Sequence, residues 1–97
     1  MNFVKIDGAI AVIAVKGKYD LLKVLEVEQQ LTDAMNSGCI KVLVDFDDTT
    51  YIDSSVIRAL IKIRRRIKHE NFAYRNAKGD VLTALQIAKL DTLWNKA

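Results

Sequence analysis

The chain has 97 residues, of which 51% are hydrophobic and 28% are charged, with a formal net charge of +3. This length supports one hydrophobic core and is too short for two, so we predict a single domain over residues 1–97. The single cysteine excludes an internal disulfide, and no apolar run approaches the ~20 residues that cross a bilayer. We therefore expect a cytoplasmic protein. Its weak positive charge does not by itself indicate a nucleic-acid partner.

A β-hairpin is predicted over residues 3–15. The Asp7-Gly8 pair is typical of a tight turn and separates two β-rich runs. In the second run both alternating sets of side chains are apolar, which predicts a strand buried on both faces, with the first strand at the edge of the sheet. Gly17 then ends the strand, and a polar loop is expected to follow.

An amphipathic helix is predicted from about Leu22 to Asn36, because apolar residues recur there at intervals of three and four. Gly38 stands where a left-handed helix cap is needed. The apolar run that follows predicts a buried strand ending near Asp45 or Phe46. A helix between two strands of one sheet implies a crossover, so the sheet should have parallel members.

The most informative stretch follows this strand, where Asp53, Ser54 and Ser55 precede apolar residues at helical spacing. These side chains can accept hydrogen bonds from the unpaired N–H groups of a helix start, and Ser54 is the expected N-cap. Two hydroxyls and a carboxylate thus meet the positive end of a helix dipole, which favours an oxyanion. This is the candidate functional spot.

The last third predicts a short strand at Phe72-Ala73-Tyr74, a helix capped by Asp80, and an apolar strand or plug containing Leu90, Leu93 and Trp94. The element order indicates an α/β fold, a single-layer mixed β-sheet of four to five strands with helices packed on one face. The predicted core residues are Val27, Leu31, Leu43, Leu60, Ile63 and Leu85.

The run VLVDFDDTTYIDSSVIRAL resembles the signature of the STAS domain, the family of bacterial anti-sigma factor antagonists. The segment Gly17-Lys18-Tyr19-Asp20 is similar to the Gly-x-x-Asp turn of that family. The segment Leu90-Asp91-Thr92-Leu93-Trp94 is similar to its Leu-Asp-x-Leu-Phe ending. The resemblance implies a STAS-like fold over nearly the whole chain.

The resemblance also implies a function, that of an anti-sigma factor antagonist which binds an anti-sigma factor serine kinase and is phosphorylated at Ser55. The partner-binding residues that it implies are Asp20, Asp53, Ser54, Ser55 and Val56. The family usually has glycine where this chain has Val56, and we expect the β-branched side chain to crowd an approaching kinase. In a second hypothesis the chain is a non-switching STAS scaffold or transporter-associated subunit, and Val56 explains why the switch is lost.

Other functions find less support in the sequence. Asp53, Ser54 and Ser55 also fit a plain helix cap. Asp45, Asp47 and Asp48 are placed for a metal or a phospho-acceptor site, but a receiver-type site needs an acidic pair after the first strand, and a solvated acidic turn is favoured. We expect no metal and no cofactor. No His-based nucleophile, phosphate loop or zinc motif is present, so we expect no enzyme.

A basic run lies on the second predicted helix, and the residues that carry it are Arg58, Lys62, Arg64, Arg65, Arg66 and Lys68. These fall largely opposite the apolar stripe, as expected for the solvent face of an amphipathic helix. A small nucleic-acid-binding domain is a third hypothesis, disfavoured because no aromatic residue is interleaved with the basic ones. A protein partner with an acidic patch fits the same run.

Overall fold

The structure, a computed structural model, describes residues 2–90. This part of the chain contains six strands and three helices. A short 3₁₀ turn, His69–Asn71, lies between the second helix and the last strand. No helix in this part is both long enough and apolar enough to span a bilayer. In chain order the elements are β1 (Val4–Asp7), β2 (Ile10–Ala14), β3 (Gly17–Tyr19), α1 (Leu21–Asn36), β4 (Lys41–Asp45), β5 (Thr49–Ile52), α2 (Ser54–Ile67), β6 (Phe72–Arg75) and α3 (Gly79–Ile87).

The main sheet has the strand order β1-β2-β4-β6. Strand β1 pairs antiparallel with β2 at the edge, whereas β2, β4 and β6 are parallel. This confirms the predicted hairpin, its edge position, the parallel members and the mixed sheet. A second sheet, formed by β3 and β5 in parallel, was not predicted. Both of its strands fall in segments for which the sequence analysis predicts no strand, one after the end of the hairpin and the other between the acidic turn and Asp53.

One face of the main sheet carries the core. Ala11 and Ile13 on β2 are fully buried together with the inward residues of β4 and β6. The prediction that β2 is buried on both faces is wrong, because Val12 is only half-buried and Ala14 is exposed. Leu43 is buried as predicted, but it pairs with Val12 on the opposite face and lies outside the main cluster.

The three helices of residues 2–90 contribute their buried side chains to this one cluster. Helix α1 packs on β1 and β2, α2 packs on α1 and β6, and α3 packs on β5. The predicted arrangement of helices on one face of a mixed sheet is thereby confirmed. The helix residues in the cluster are Val24, Val27, Leu31, Ala34, Val56, Ala59, Leu60, Ile63, Ile67, Val81 and Leu85.

Two helices end in the same hydrogen-bonded motif. After α1, the N–H groups of Gly38 and Cys39 donate to the carbonyls of Met35 and Ala34, which is a Schellman cap with Gly38 at φ 110°. This is the cap predicted from the sequence. The N–H groups that follow α3 make the same two bonds, but the left-handed residue there is Lys89, at φ 57°.

The left-handed conformation of Lys89 leads to a stability prediction. Glycine adopts this region without the Cβ clash that a lysine suffers, which favours the folded state by about 1–2 kcal/mol. The greater freedom of glycine in the unfolded chain offsets part of that gain. We expect Lys89→Gly to raise the free energy of unfolding by about 0.5 kcal/mol. Gly38→Ala is the matched control and should lower it by about 1 kcal/mol. Urea denaturation measures both, and a loss of stability in Lys89→Gly would contradict the prediction.

The end of the described chain differs from the sequence prediction in one respect. The residue that precedes α3 is Lys78, and Asp80 lies inside its first turn, so Asp80 is not the N-cap. A carboxylate in the first turn still interacts favourably with the helix dipole. Leu90 is fully buried in the core, whereas Leu93 and Trp94 lie outside the described residues.

Candidate functional site

The small β3–β5 sheet brings two helix starts together. Tyr19 and Ile52 are register partners at the ends of these parallel strands. The next residues, Asp20 and Asp53, are the N-caps of α1 and α2. The N-termini of two helices therefore lie side by side, each capped by an aspartate, at the same edge of the molecule.

Asp53 holds the start of α2. One of its carboxylate oxygens, Oδ1, accepts the backbone N–H groups of Ser55 at 3.0 Å and Val56 at 3.2 Å, together with the Ser55 hydroxyl. The backbone N–H of Leu21, at the start of α1, also interacts with this carboxylate. The prediction that Ser54 is the N-cap is wrong, because Ser54 is already the first helical residue.

These donors lower the pKa of Asp53 below the ordinary value of an aspartate. The hydrogen bond from the Ser55 side chain has the largest effect, and the backbone N–H groups add to it. A carboxylate with a depressed pKa stabilises the fold above its ordinary pKa and loses that contribution as the pH falls through its folded value. Asp53 is thus ionised at neutral pH and already engaged by the Ser55 hydroxyl.

Asp20 caps the N-terminus of α1, as Asp53 caps that of α2. Its Oδ1 accepts the N–H of Lys23 at 3.3 Å, and its backbone carbonyl accepts the N–H of Val24 at 2.9 Å. The Lys23 ammonium donates to the carbonyl of Lys18, which lies on β3. Asp20 and Asp53 are therefore both structural caps and neighbouring negative charges.

The structure brings together four of the five residues expected at the partner surface. Ser54 is exposed, and Asp20, Asp53 and Ser55 are partly exposed. Val56 is the exception, since its side chain is fully buried in the core. The expectation that Val56 contacts or crowds a partner is wrong, because its side chain points from α2 into the core, whereas Ser54 on the same helix faces the solvent.

Exposed apolar side chains flank this site, and sequence analysis missed them. Leu21, Leu22 and Leu25 at the start of α1 are 55%, 74% and 57% exposed, and Tyr51 on β5 is 51% exposed. The signal was present in the sequence, because α1 begins with more leucines than its buried stripe requires. The surface around the two helix starts is thus a mixed one of carboxylates, hydroxyls and apolar side chains.

Asp45, at the end of β4, and Asp47, in the turn that follows, form ion pairs and hydrogen bonds with nearby residues. Asp45 forms an ion pair with Arg75 at 3.1 Å and accepts hydrogen bonds from Asn76 and the N–H of Asp47. Partial burial would raise the pKa of Asp45, but these partners lower it overall. Lys78 lies 3.7 Å from Asp47. Within residues 2–90 no group of three His, Cys, Asp or Glu side chains is placed to hold a metal ion.

The capping role of Asp53 leads to a prediction. Asp53→Ala removes the side-chain acceptor of α2 and should lower the free energy of unfolding by about 1 kcal/mol, whereas Asp53→Asn keeps an acceptor and should cost less. Because the pKa of Asp53 is depressed, the advantage of the wild type over Asp53→Asn should shrink below about pH 4. Urea unfolding at pH 7 and pH 3 measures this, and an advantage that grows on acidification would contradict it.

The family model described as "Mlab, STAS domain" matches residues 2–95. The chain belongs to the STAS domain family. Among curated proteins, none is significantly similar in sequence to this chain.

Solved structures share the fold. The anti-sigma factor antagonist SpoIIAA in its unphosphorylated form superposes with a TM-score of 0.77 at 18% identity, covering 90% of this chain and 79% of that one. A Thermotoga maritima protein described as a candidate anti-sigma factor antagonist gives a TM-score of 0.76 at 19% identity, covering 90% and 77%. Mglu gives 0.59 at 19% identity, covering 80% of this chain and 19% of a longer one. The same fold thus also occurs within a larger protein.

Proposed function

We propose that this STAS domain is an anti-sigma factor antagonist that binds an anti-sigma factor serine kinase and is switched by phosphorylation of Ser55. The observation that carries the proposal is the position of Ser55, whose partly exposed hydroxyl lies in the first turn of α2 beside the capping carboxylate of Asp53. This is the serine that matches the phosphorylated position of the family motif. The proposed activity is binding and not catalysis, and its proposed location is the cytoplasm.

The electrostatics support a reversible modification at this position. A phosphate in the first turn of a helix is stabilised by the N-terminal end of the dipole, so the fold should survive it. The same phosphate adds about two negative charges next to Asp53 and close to Asp20. The modification should therefore alter partner binding much more than it alters stability.

The test is a phosphorylation assay with an anti-sigma-type kinase and Mg-ATP, followed by mass spectrometric mapping of the modified residue. We expect one phosphate per chain, located on Ser55, in the wild type and in Ser54→Ala. Ser55→Ala should take up none. Phosphate located on Ser54, or full modification of Ser55→Ala, would overturn the proposed switch.

A second candidate function is a non-switching scaffold, for example a transporter-associated subunit that uses the same surface for permanent docking. One observation favours it, namely that the Ser55 hydroxyl already donates to Asp53 and so serves the cap without any modification. Val56 no longer supports this candidate, because its side chain is buried. Tight binding of a partner together with no phosphate incorporation would favour the scaffold.

A further inference from the structure

A groove runs between α1 and α2 away from the paired helix starts. It consists of two adjoining depressions of about 340 and 180 Å³ that share Glu28, Ala59 and Lys62 as lining residues. The first depression reaches Leu21 and Ser55, and the second extends to Thr32 on α1 and to Arg66 on α2. We call this feature the α1–α2 groove.

The groove is apolar at its mouth and along its floor. Leu21 and Leu25 line its mouth and remain more than half exposed, so the core of the protein does not use most of their apolar area. Ala59 and Ile63, which are buried, form part of the floor. An exposed apolar strip of this kind on a small domain indicates a docking surface.

One rim of the groove is basic. Arg58, Lys62 and Arg66 follow one another at four-residue spacing along α2, and all three side chains are exposed. Within residues 2–90, the ion pairs shorter than 4.0 Å do not include any of the three. The opposite rim carries Glu28 from α1. Its negative charge would repel a uniformly anionic binding partner such as a membrane surface. The charge pattern fits a partner with acidic side chains facing α2.

The length and shape of the groove suit a helix. The lining positions on α2 extend from Ser55 to Arg66, which at 1.5 Å per residue is roughly 16 Å, or about three helical turns. Amphipathic helices dock in such grooves through apolar anchors at spacings of three and four. We propose that the α1–α2 groove binds an acidic amphipathic helix of a partner protein.

This inference rests on the proposed function in one respect, because Ser55 lines the mouth of the groove and is also the proposed phosphorylation site. A phosphate there would place negative charge at the end of a groove that binds an acidic helix. Phosphorylation would then weaken docking by direct repulsion. The groove itself needs no kinase, so its binding is tested separately from the switch.

The probe is a synthetic helical peptide of about 14 residues with leucines at spacings of three and four and flanking glutamates. It is titrated into the isotope-labelled full chain and followed by amide NMR shifts. We expect shifts concentrated at Leu25, Ala59 and Ile63. Lys62→Glu should weaken the affinity at least tenfold. The matched control is Arg65→Glu, which makes the same charge change on an exposed position of α2 that does not line the groove, and it should change the affinity much less.

Three results would overturn the proposal. The first is equal binding of a peptide with the same composition in scrambled order, and the second is an equal loss of affinity in Lys62→Glu and Arg65→Glu. The third is co-sedimentation with phosphatidylglycerol vesicles together with no peptide-induced shifts, which would make the surface a lipid-binding one. Because the titration uses unphosphorylated protein, a failure here leaves the Ser55 phosphorylation result intact. Conversely, if the peptide binds but no kinase phosphorylates the chain, the proposal for the groove stands and the proposed switch at Ser55 is refuted.

Discussion

Leu60→Ala should lower the free energy of unfolding by about 2–5 kcal/mol. Leu60 is fully buried in the cluster that joins α2 to the sheet, so the truncation loses the transfer free energy of the side chain and leaves a cavity. For a domain of this size each 1 kcal/mol corresponds to about 4–8 °C in Tm, so the variant should melt at least about 8 °C below the wild type. Urea denaturation and thermal unfolding followed by circular dichroism measure both quantities.

Arg65→Ala is the control for this prediction. Arg65 is exposed on the same helix, and alanine is a good helix former, so the change should stay within about 0.5 kcal/mol. A cost below 1 kcal/mol for Leu60→Ala would mean that α2 does not pack on the sheet as described. Any loss of partner binding in Leu60→Ala should follow the unfolded fraction, because its side chain does not reach the surface.

Ser55→Asp should weaken binding of the proposed partner, an anti-sigma factor kinase, at least tenfold. The substitution places a second carboxylate beside that of Asp53, which now accepts the Ser55 hydroxyl. Two such charges at ~5 Å repel by on the order of 3 kcal/mol at an effective dielectric of about 20. Water screens this repulsion in the isolated protein, but a docked partner excludes that water. Part of the repulsion therefore appears as lost affinity, and 1.4 kcal/mol is already a factor of ten.

Ser55→Asn and Ser55→Ala are the controls for the charge. Asparagine has nearly the size of aspartate without its charge, so it should bind within a few-fold of Ser55→Ala, and all three variants should melt near the wild type. Isothermal titration calorimetry against the kinase gives the affinities. Equal affinity of Ser55→Asp and Ser55→Asn would remove the electrostatic basis of the switch and favour permanent docking.

The main sheet and the helices were predictable because their signals are long and periodic. The Asp7-Gly8 turn, the apolar run of β4 and the stripes of α1 and α2 each fix an element locally. Strands β3 and β5 were missed because each has only three or four residues and a polar composition. Their strand conformation depends on pairing with each other, which is a tertiary contact that no local pattern encodes.

The location of the candidate site was predicted from the sequence, but its capping residue and the directions of its side chains were not. The Asp-Ser-Ser run marks a helix start, yet whether aspartate or serine caps it depends on the backbone conformation before the first turn, and the structure gives that role to Asp53. The direction of Val56 depends on how α2 is rotated against the sheet. The exposed Leu21 and Leu25 escaped notice because leucine in a helix normally indicates the core.

The pairing of β3 with β5 has a consequence for the order of events during folding. The buried Thr49 hydroxyl donates to the carbonyl of Val15 at 2.7 Å, and the two residues are 34 positions apart in the chain. A contact of that sequence separation requires closure of a long loop, which is entropically costly and slow compared with helix or hairpin formation. The two capped helix starts can meet only after this closure. A nascent or partly folded chain therefore lacks the assembled surface, and a partner that requires it would engage only molecules that have completed their folding.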